Sequence, residues 1–182
     1  MATIPKLITK STVSDPSPFP EAKGLGVGSP ILHVVLVRPE IPQNTGSIAR
    51  LTAATRVRLH LVGPLGYSLE DRYLKRAGLD YWPLVDLQTY AGWEQFVAAN
   101  PAASMKFFSA RTEQSYLQAQ YQPGDFLVFG SETKGLGRDF IAKHLERTFT
   151  IPIFESGVRS LNLSNAVSIV VYEALRQTGT IR

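Results

Sequence analysis

The sequence predicts an α/β fold: a Rossmann-like, mostly parallel sheet covered by helices on both faces. Three observations predict it. Apolar runs rich in branched residues, such as Ile31 to Val37, alternate with helix-length stretches. Turn signals, among them Gly63-Pro64 and Gly78, fall between them. Near the C-terminus Leu163, Ala166, Val167, Val170, Val171, Ala174 and Leu175 follow the helical period without a miss. With 182 residues, 44% of them hydrophobic, the chain can bury the core of one domain.

Residues 1–30 stand apart. Pro5, Pro16, Pro18, Pro20 and Pro30 lie among Ser, Thr and Lys, which predicts a flexible extension before a domain at 31–182. The extension lacks arginine and contains Asp15 and Glu21, which argues against a transit peptide. Gly24 to Gly28 looks like a dinucleotide loop, but it precedes the first strand instead of following one, so that reading is rejected.

The elements then follow in order. Ile31 to Val37 reads as a buried strand, Asn44 to Arg56 as a helix, and Leu59 to Val62 as a second strand ended by Gly63-Pro64. Glu70 to Ala77 reads as a short helix stopped by Gly78. Leu84 to Leu87 is a weaker strand, and Trp93 to Ala99 is helical. Lys106 to Ser109 and Phe126 to Phe129 are strands, Asp139 to Leu145 is a helix, and Phe149 to Ile153 is the last strand. The final helix also carries Ile169 and Tyr172 on its other side, which points either to a partner or to wrapping by its own domain.

Composition removes several chemistries. No cysteine is present, so disulfides, Cys-ligated zinc and thiol nucleophiles are excluded. His33, His60 and His144 lie far apart in sequence with no metal-motif spacing, so no metal is expected. No apolar run reaches the roughly 20 residues of a membrane helix, and no secretory signal opens the chain, so a soluble cytoplasmic protein is expected. The net charge of +4 and pI of 9.4 fit a polyanionic partner and fit ordinary surface charge equally.

In parallel sheets ligands bind at the carboxyl ends of the strands. Three loops lie there. The first, Arg38 to Arg50, follows the first strand. Pro39 and Pro42 stiffen it, Asn44 or Thr45 is placed to cap the helix, and Gly46 allows close approach. Taken alone, the segment reads more readily as a capped helix with one surface arginine, Arg50. The second, Phe129 to Leu136, has four residues between Gly130 and Gly135, as a P-loop does. Leu136 stands where a P-loop needs Lys, so nucleotide triphosphate chemistry is disfavoured. What remains is a glycine-flanked loop with one carboxylate, Glu132, suited to a neutral or cationic ligand. The third runs from Ile151-Pro152-Ile153 to Arg159-Ser160-Leu161-Asn162-Leu163-Ser164-Asn165-Ala166, with small polar residues at the mouth of the last helix.

These segments, in this order, resemble the three motifs of the SPOUT RNA methyltransferases: Asn44-x-Gly46-x-x-x-Arg50, Phe129-Gly130-x-Glu132-x-x-Gly135-Leu136, and Ile151-Pro152 to Ala166. Arg76-Ala77-Gly78-Leu79-Asp80-Tyr81 and Val170-Val171-Tyr172-Glu173-Ala174 are similar to the tRNA (cytidine(34)-2'-O)-methyltransferase subfamily, which methylates the wobble nucleotide. The match covers about Ile31 to Gln177. The resemblance implies a C-terminal deep trefoil knot, a homodimer and S-adenosyl-L-methionine as cofactor. It implies that the cofactor lies against Phe108, Ser109, Gly130, Glu132, Gly135, Ile151, Ile153, Ser160 and Leu161. It also implies 2'-O-methylation of the tRNA anticodon loop with Arg50, Asn44, Ser160, Asn162 and Tyr172 as the catalytic set. Arg38, Arg56, Arg72, Lys75, Arg76, Arg111, Lys134 and Arg159 are available for RNA phosphates. The same fold acting on ribosomal RNA, or binding RNA without catalysis, are the alternatives.

Overall fold

In the computed structural model, residues 30–69 and 81–181 are described. Six parallel strands form one sheet in the order β3-β2-β1-β5-β4-β6. They are β1 (Leu32–Val37), β2 (Arg58–Val62), β3 (Leu87–Tyr90), β4 (Met105–Phe108), β5 (Asp125–Phe129) and β6 (Thr148–Phe149). The helices among the described residues are α1 (Pro42–Thr55), α2 (Trp93–Ala99), α3 (Arg138–Lys143) and α4 (Leu163–Gln177).

Alternation along the strands divides the core in two. Leu32, Val34 and Leu36 of β1 join Leu59, Leu61, Leu127 and Phe129 against α1 and α4, which contribute Ile48, Ala49, Val167, Val170, Val171, Ala174 and Leu175. Val35, Val37, Val62, Phe107 and Val128 face the other way, onto Phe96 of α2 and Ile141 of α3. All six residues of β1 are buried, as a central parallel strand requires.

Several boundaries differ from expectation. α1 begins at Pro42, with Ile41 as an N-cap that makes no side-chain cap bond. Neither Asn44 nor Thr45 caps it. Proline is favoured in the first turn because its missing N–H leaves nothing unsatisfied there. Residues 82–84, read partly as strand, form a 3-10 turn at Trp82-Pro83, and β3 starts at Leu87. As an edge strand, β3 exposes Gln88 and Thr89, so its apolar signal is weak. The last strand stops at Phe149, because Thr150 turns its backbone bonds to Gln114 O and Tyr116 N instead of to β4. The helix predicted to Leu145 breaks at His144 and continues as a 3-10 turn, Leu145–Arg147. The helix predicted over Glu70 to Ala77 lies outside the described residues.

His33 and His60, 27 positions apart, meet inside the sheet: His33 Nδ1 and His60 Nε2 are 2.8 Å apart. His33 stacks on Phe126 at 3.9 Å, and His60 Nδ1 lies 3.2 Å from the Tyr90 hydroxyl. Burial pushes His33 down to about 4 and His60 to about 3, with the nearby Arg58 charge acting in the same direction. Both rings are therefore neutral packing groups at neutral pH.

Candidate active site

The strand order reverses between β1 and β5, where a parallel sheet opens a crevice at its carboxyl edge. The ladder between them ends at the Leu36–Phe129 pair. Beyond it the loops at 38–41 and 130–136 sit side by side.

The second loop is a tight turn. Its Gly135 N–H donates to Ser131 O at 2.9 Å, and its Lys134 N–H to Ser131 Oγ at 3.2 Å. A Cβ on Gly130 would lie 2.0 Å from the Gly135 carbonyl carbon, so the turn itself demands glycine there. Gly135 has φ +63, and a Cβ built on it would meet nothing within 4 Å.

This turn aims Glu132 at the start of α1. Glu132 Oε2 accepts from Glu40 N at 2.8 Å, and Oε1 accepts from Ile41 N at 3.2 Å and Asn44 Nδ2 at 2.9 Å. The carboxylate expected to face a ligand is thus engaged by the chain's own donors. In return, Glu40 accepts from Thr133 N at 3.1 Å and Thr133 Oγ1 at 2.9 Å. Those bonds, the Thr133 hydroxyl first, hold the Glu40 carboxyl below the usual carboxylate range, and the charge of Lys134 adds to them.

The third loop joins the same network. Asn162 Nδ2 donates to Asn44 Oδ1 at 2.9 Å. Asn162 Oδ1 caps α4, accepting from Ser164 N at 2.9 Å and Ser164 Oγ at 2.7 Å. Next to Asn44, Thr45 Oγ1 lies 2.5 Å from the Tyr67 hydroxyl, and burial pushes that phenol up to about 12.

The predicted residues therefore separate into groups. Asn44, Glu132 and Asn162 are brought together, with Gly130 and Gly135 shaping the turn beneath them. Phe108 is a core residue, stacked on Phe129 at 4.8 Å, so its ring is not offered to a ligand. Ser109 donates its N–H to Phe149 O at 2.9 Å. Ile151 and Ile153 are half-buried, and Ser160 and Leu161 are exposed. Arg50 is exposed on α1, with its guanidinium 4.9 Å from the Tyr81 ring centroid. Tyr172 is half exposed on α4. Glu40, Thr133 and Tyr67 were not anticipated. Pro39 and Pro42, which stiffen the chain on either side of Glu40-Ile41, were the available signal for the first of them.

Comparison with known proteins matches this architecture. The model of the SpoU rRNA Methylase family matches residues 31–172. A tRNA (cytidine(34)-2'-O)-methyltransferase of Burkholderia ambifaria is 45% identical over 152 residues, 82% of this chain and 97% of that protein. A solved structure described as giving insights into the 2-OH methylation of C/U34 on tRNA superposes with a TM-score of 0.75 at 47% identity, covering 82% of this chain and 97% of that one. The AdoMet-bound rRNA methyltransferase of Sinorhizobium meliloti superposes with a TM-score of 0.70 at 25% identity, covering 80% and 56%. The three-loop crevice thus sits on a recognised scaffold, and the chain belongs to the SpoU methylase family, within its group of tRNA (cytidine(34)-2'-O)-methyltransferases.

Proposed function

We propose that this chain transfers a methyl group from S-adenosylmethionine to the ribose 2'-hydroxyl of the wobble nucleotide, cytidine or uridine 34, in the tRNA anticodon loop. One observation carries the reading. The loops bearing the three motifs are hydrogen-bonded into one crevice through Glu132, Asn44 and Asn162, in a chain 45–47% identical to relatives named for that reaction.

In this reading the cofactor lies among the three loops. Ile151, Ile153 and Leu161 offer partly exposed apolar surface, and the open turn at Gly135 offers backbone groups for a heterocycle edge. Ser109, Gly130, Ser160 and the backbone at Phe108 complete the set that would hold it, with Glu132 acting by shaping the turn. When bound, the cofactor supplies an electrophilic methyl on a positively charged sulfur.

The chain's own residues must align the ribose oxygen and deal with its proton. Arg50 cannot be a literal base, because a guanidinium has no lone pair to offer. It lowers the energy of the developing alkoxide, or positions a phosphate that takes the proton. Ser160 and Asn162 orient the third loop and the ribose, and Tyr172, half exposed on α4, completes the proposed catalytic set.

The proposal includes a trefoil knot, in which the segment after β6 threads the 109–122 loop. Two contacts support it: Thr150 exchanges bonds with Gln114 and Tyr116 on one limb, and Gln177 Oε1 accepts from Tyr121 N on the other. A homodimer is also proposed, its support being the exposure of Ile169 and Tyr172 on an α4 already buried on its opposite side. Exposed Arg38, Arg56, Arg111, Lys134 and Arg159 are available to RNA phosphates. A tRNA substrate makes the cytoplasm the place of action.

Incubation with total RNA, tRNA and ribosomal RNA together, and methyl-labelled S-adenosylmethionine, followed by mapping of the labelled nucleotide, tests this reading. Label at position 34 is expected. Label appearing in ribosomal RNA and not in tRNA would transfer the assignment to the other substrate class.

A further inference from the structure

The two acidic residues at the switch point exchange contacts. Glu132, from the loop after β5, holds the backbone of Glu40 and Ile41 after β1. Glu40, from the loop after β1, holds the amide and hydroxyl of Thr133 after β5. The strand ladder has already ended at Leu36–Phe129, so side chains supply this junction. Each carboxylate receives donors from the other loop, which keeps two like charges compatible at close quarters.

The consequence is a geometric constraint. Thr133 sits between Glu132 and Lys134, so its position sets where Glu132 points. Glu132 in turn orients Asn44 and the first turn of α1, the helix that carries Arg50. Glu40 grips an exposed stretch of the turn, since Thr133 and Lys134 are both exposed. Neither Glu40 nor Thr133 belongs to either core, so the link can be cut without removing core packing.

We infer that Glu40 is a positioning residue for cofactor capture: through Thr133 it holds the 130–136 turn in the conformation that receives S-adenosylmethionine. The inference rests on the methyltransferase reading above. Glu40 itself touches neither cofactor nor substrate in this account.

The test uses the full chain with Glu40→Gln, Thr133→Val and the double variant. Three quantities are measured: the Kd for S-adenosylmethionine by calorimetry, the melting temperature, and the single-turnover rate on a tRNA transcript at saturating cofactor. Glutamine can accept from one Thr133 donor but presents its amide to the other, and valine removes the hydroxyl. Each single change is expected to weaken cofactor binding about tenfold. The saturated single-turnover rate should stay within about twofold, since chemistry is untouched once the turn is filled. The double variant should be no worse than the poorer single, because both cut the same link. Wild-type affinity in Glu40→Gln, or losses that add fully in the double variant, would overturn the inference. So would a Glu40→Gln protein that melts early while its folded fraction binds normally, which is the signature of a purely structural role. Wild-type protein that binds no S-adenosylmethionine would sink the functional reading along with it. Wild-type protein that binds it but leaves tRNA unlabelled would sink only the substrate assignment.

Discussion

The side-chain amide of Asn162 donates to Asn44 Oδ1 at 2.9 Å, joining residues 118 positions apart. Asn44 in turn gives its own amide to Glu132, and Asn162 uses its carbonyl to cap α4. The donors and acceptors run in one direction, so neither amide can flip without breaking at least two bonds.

Asn44→Ala removes the centre of that relay and leaves Asn162 Nδ2 and Glu132 Oε1 each short of a partner. A loss of about 1–3 kcal/mol in urea unfolding is expected. Asn44→Asp should cost more, because a second carboxylate would then face Glu132 and repel it. An Asp variant as stable as wild type would contradict the assigned polarity.

Gly130 and Gly135 should respond differently to the same methyl group. At Gly130 the added carbon lies 2.0 Å from backbone, so the turn must open. Gly130→Ala is expected to cost about 3 kcal/mol and to abolish cofactor binding. Gly135→Ala meets open space and bears only its left-handed φ of +63, about 1 kcal/mol. Paired denaturation and calorimetry on the two variants distinguish these outcomes.

Arg50→Lys keeps the charge and loses the planar fork. If Arg50 stabilises an alkoxide or places a phosphate, the single-turnover rate should fall about 100-fold, with cofactor affinity unchanged. Near-full turnover with lysine at neutral pH would show that bidentate geometry is irrelevant.

The His33–His60 pair predicts acid sensitivity. In the folded chain burial lowers these groups to about 4 and 3, against 6.5 for a histidine in water. Below about pH 6.5 the unfolded chain takes up protons that the folded pair refuses. Stability is thus full above that pH and is lost as pH falls toward 3. His144, also lowered by burial, acts in the same direction. Between pH 7 and pH 5 the pair should cost on the order of 2–4 kcal/mol in unfolding free energy. A flat profile over that interval would show that the pair accepts protons while folded.

The sequence carried the layered fold well, because β1, β5 and α4 are buried along their length and their apolar periods follow directly from that burial. It carried the edge poorly. β3 exposes Gln88 and Thr89, and β6 is two residues long, so neither leaves a strong apolar trace. Within the site, the motif residues Asn44, Glu132 and Asn162 were legible as types. Their mutual bonds were not, since each spans 88 positions or more. The caps show the same limit. Asn162 caps its own helix and is readable locally, whereas the start of α1 is held by a carboxylate from the loop after the neighbouring strand β5. The meeting of His33 and His60 depends on strand register, which spacing along the chain does not encode.

The long reach of the Asn44–Asn162 bond also orders events during synthesis. A nascent chain that has exposed β1 and α1 already displays Asn44, yet the donor for its Oδ1 waits until residue 162 has left the ribosome. Closing so long a loop is slow and comes after the local elements form. The crevice is therefore among the last parts of the protein to exist. A ligand that prefers it can stabilise only finished molecules and offers nothing to a half-made one.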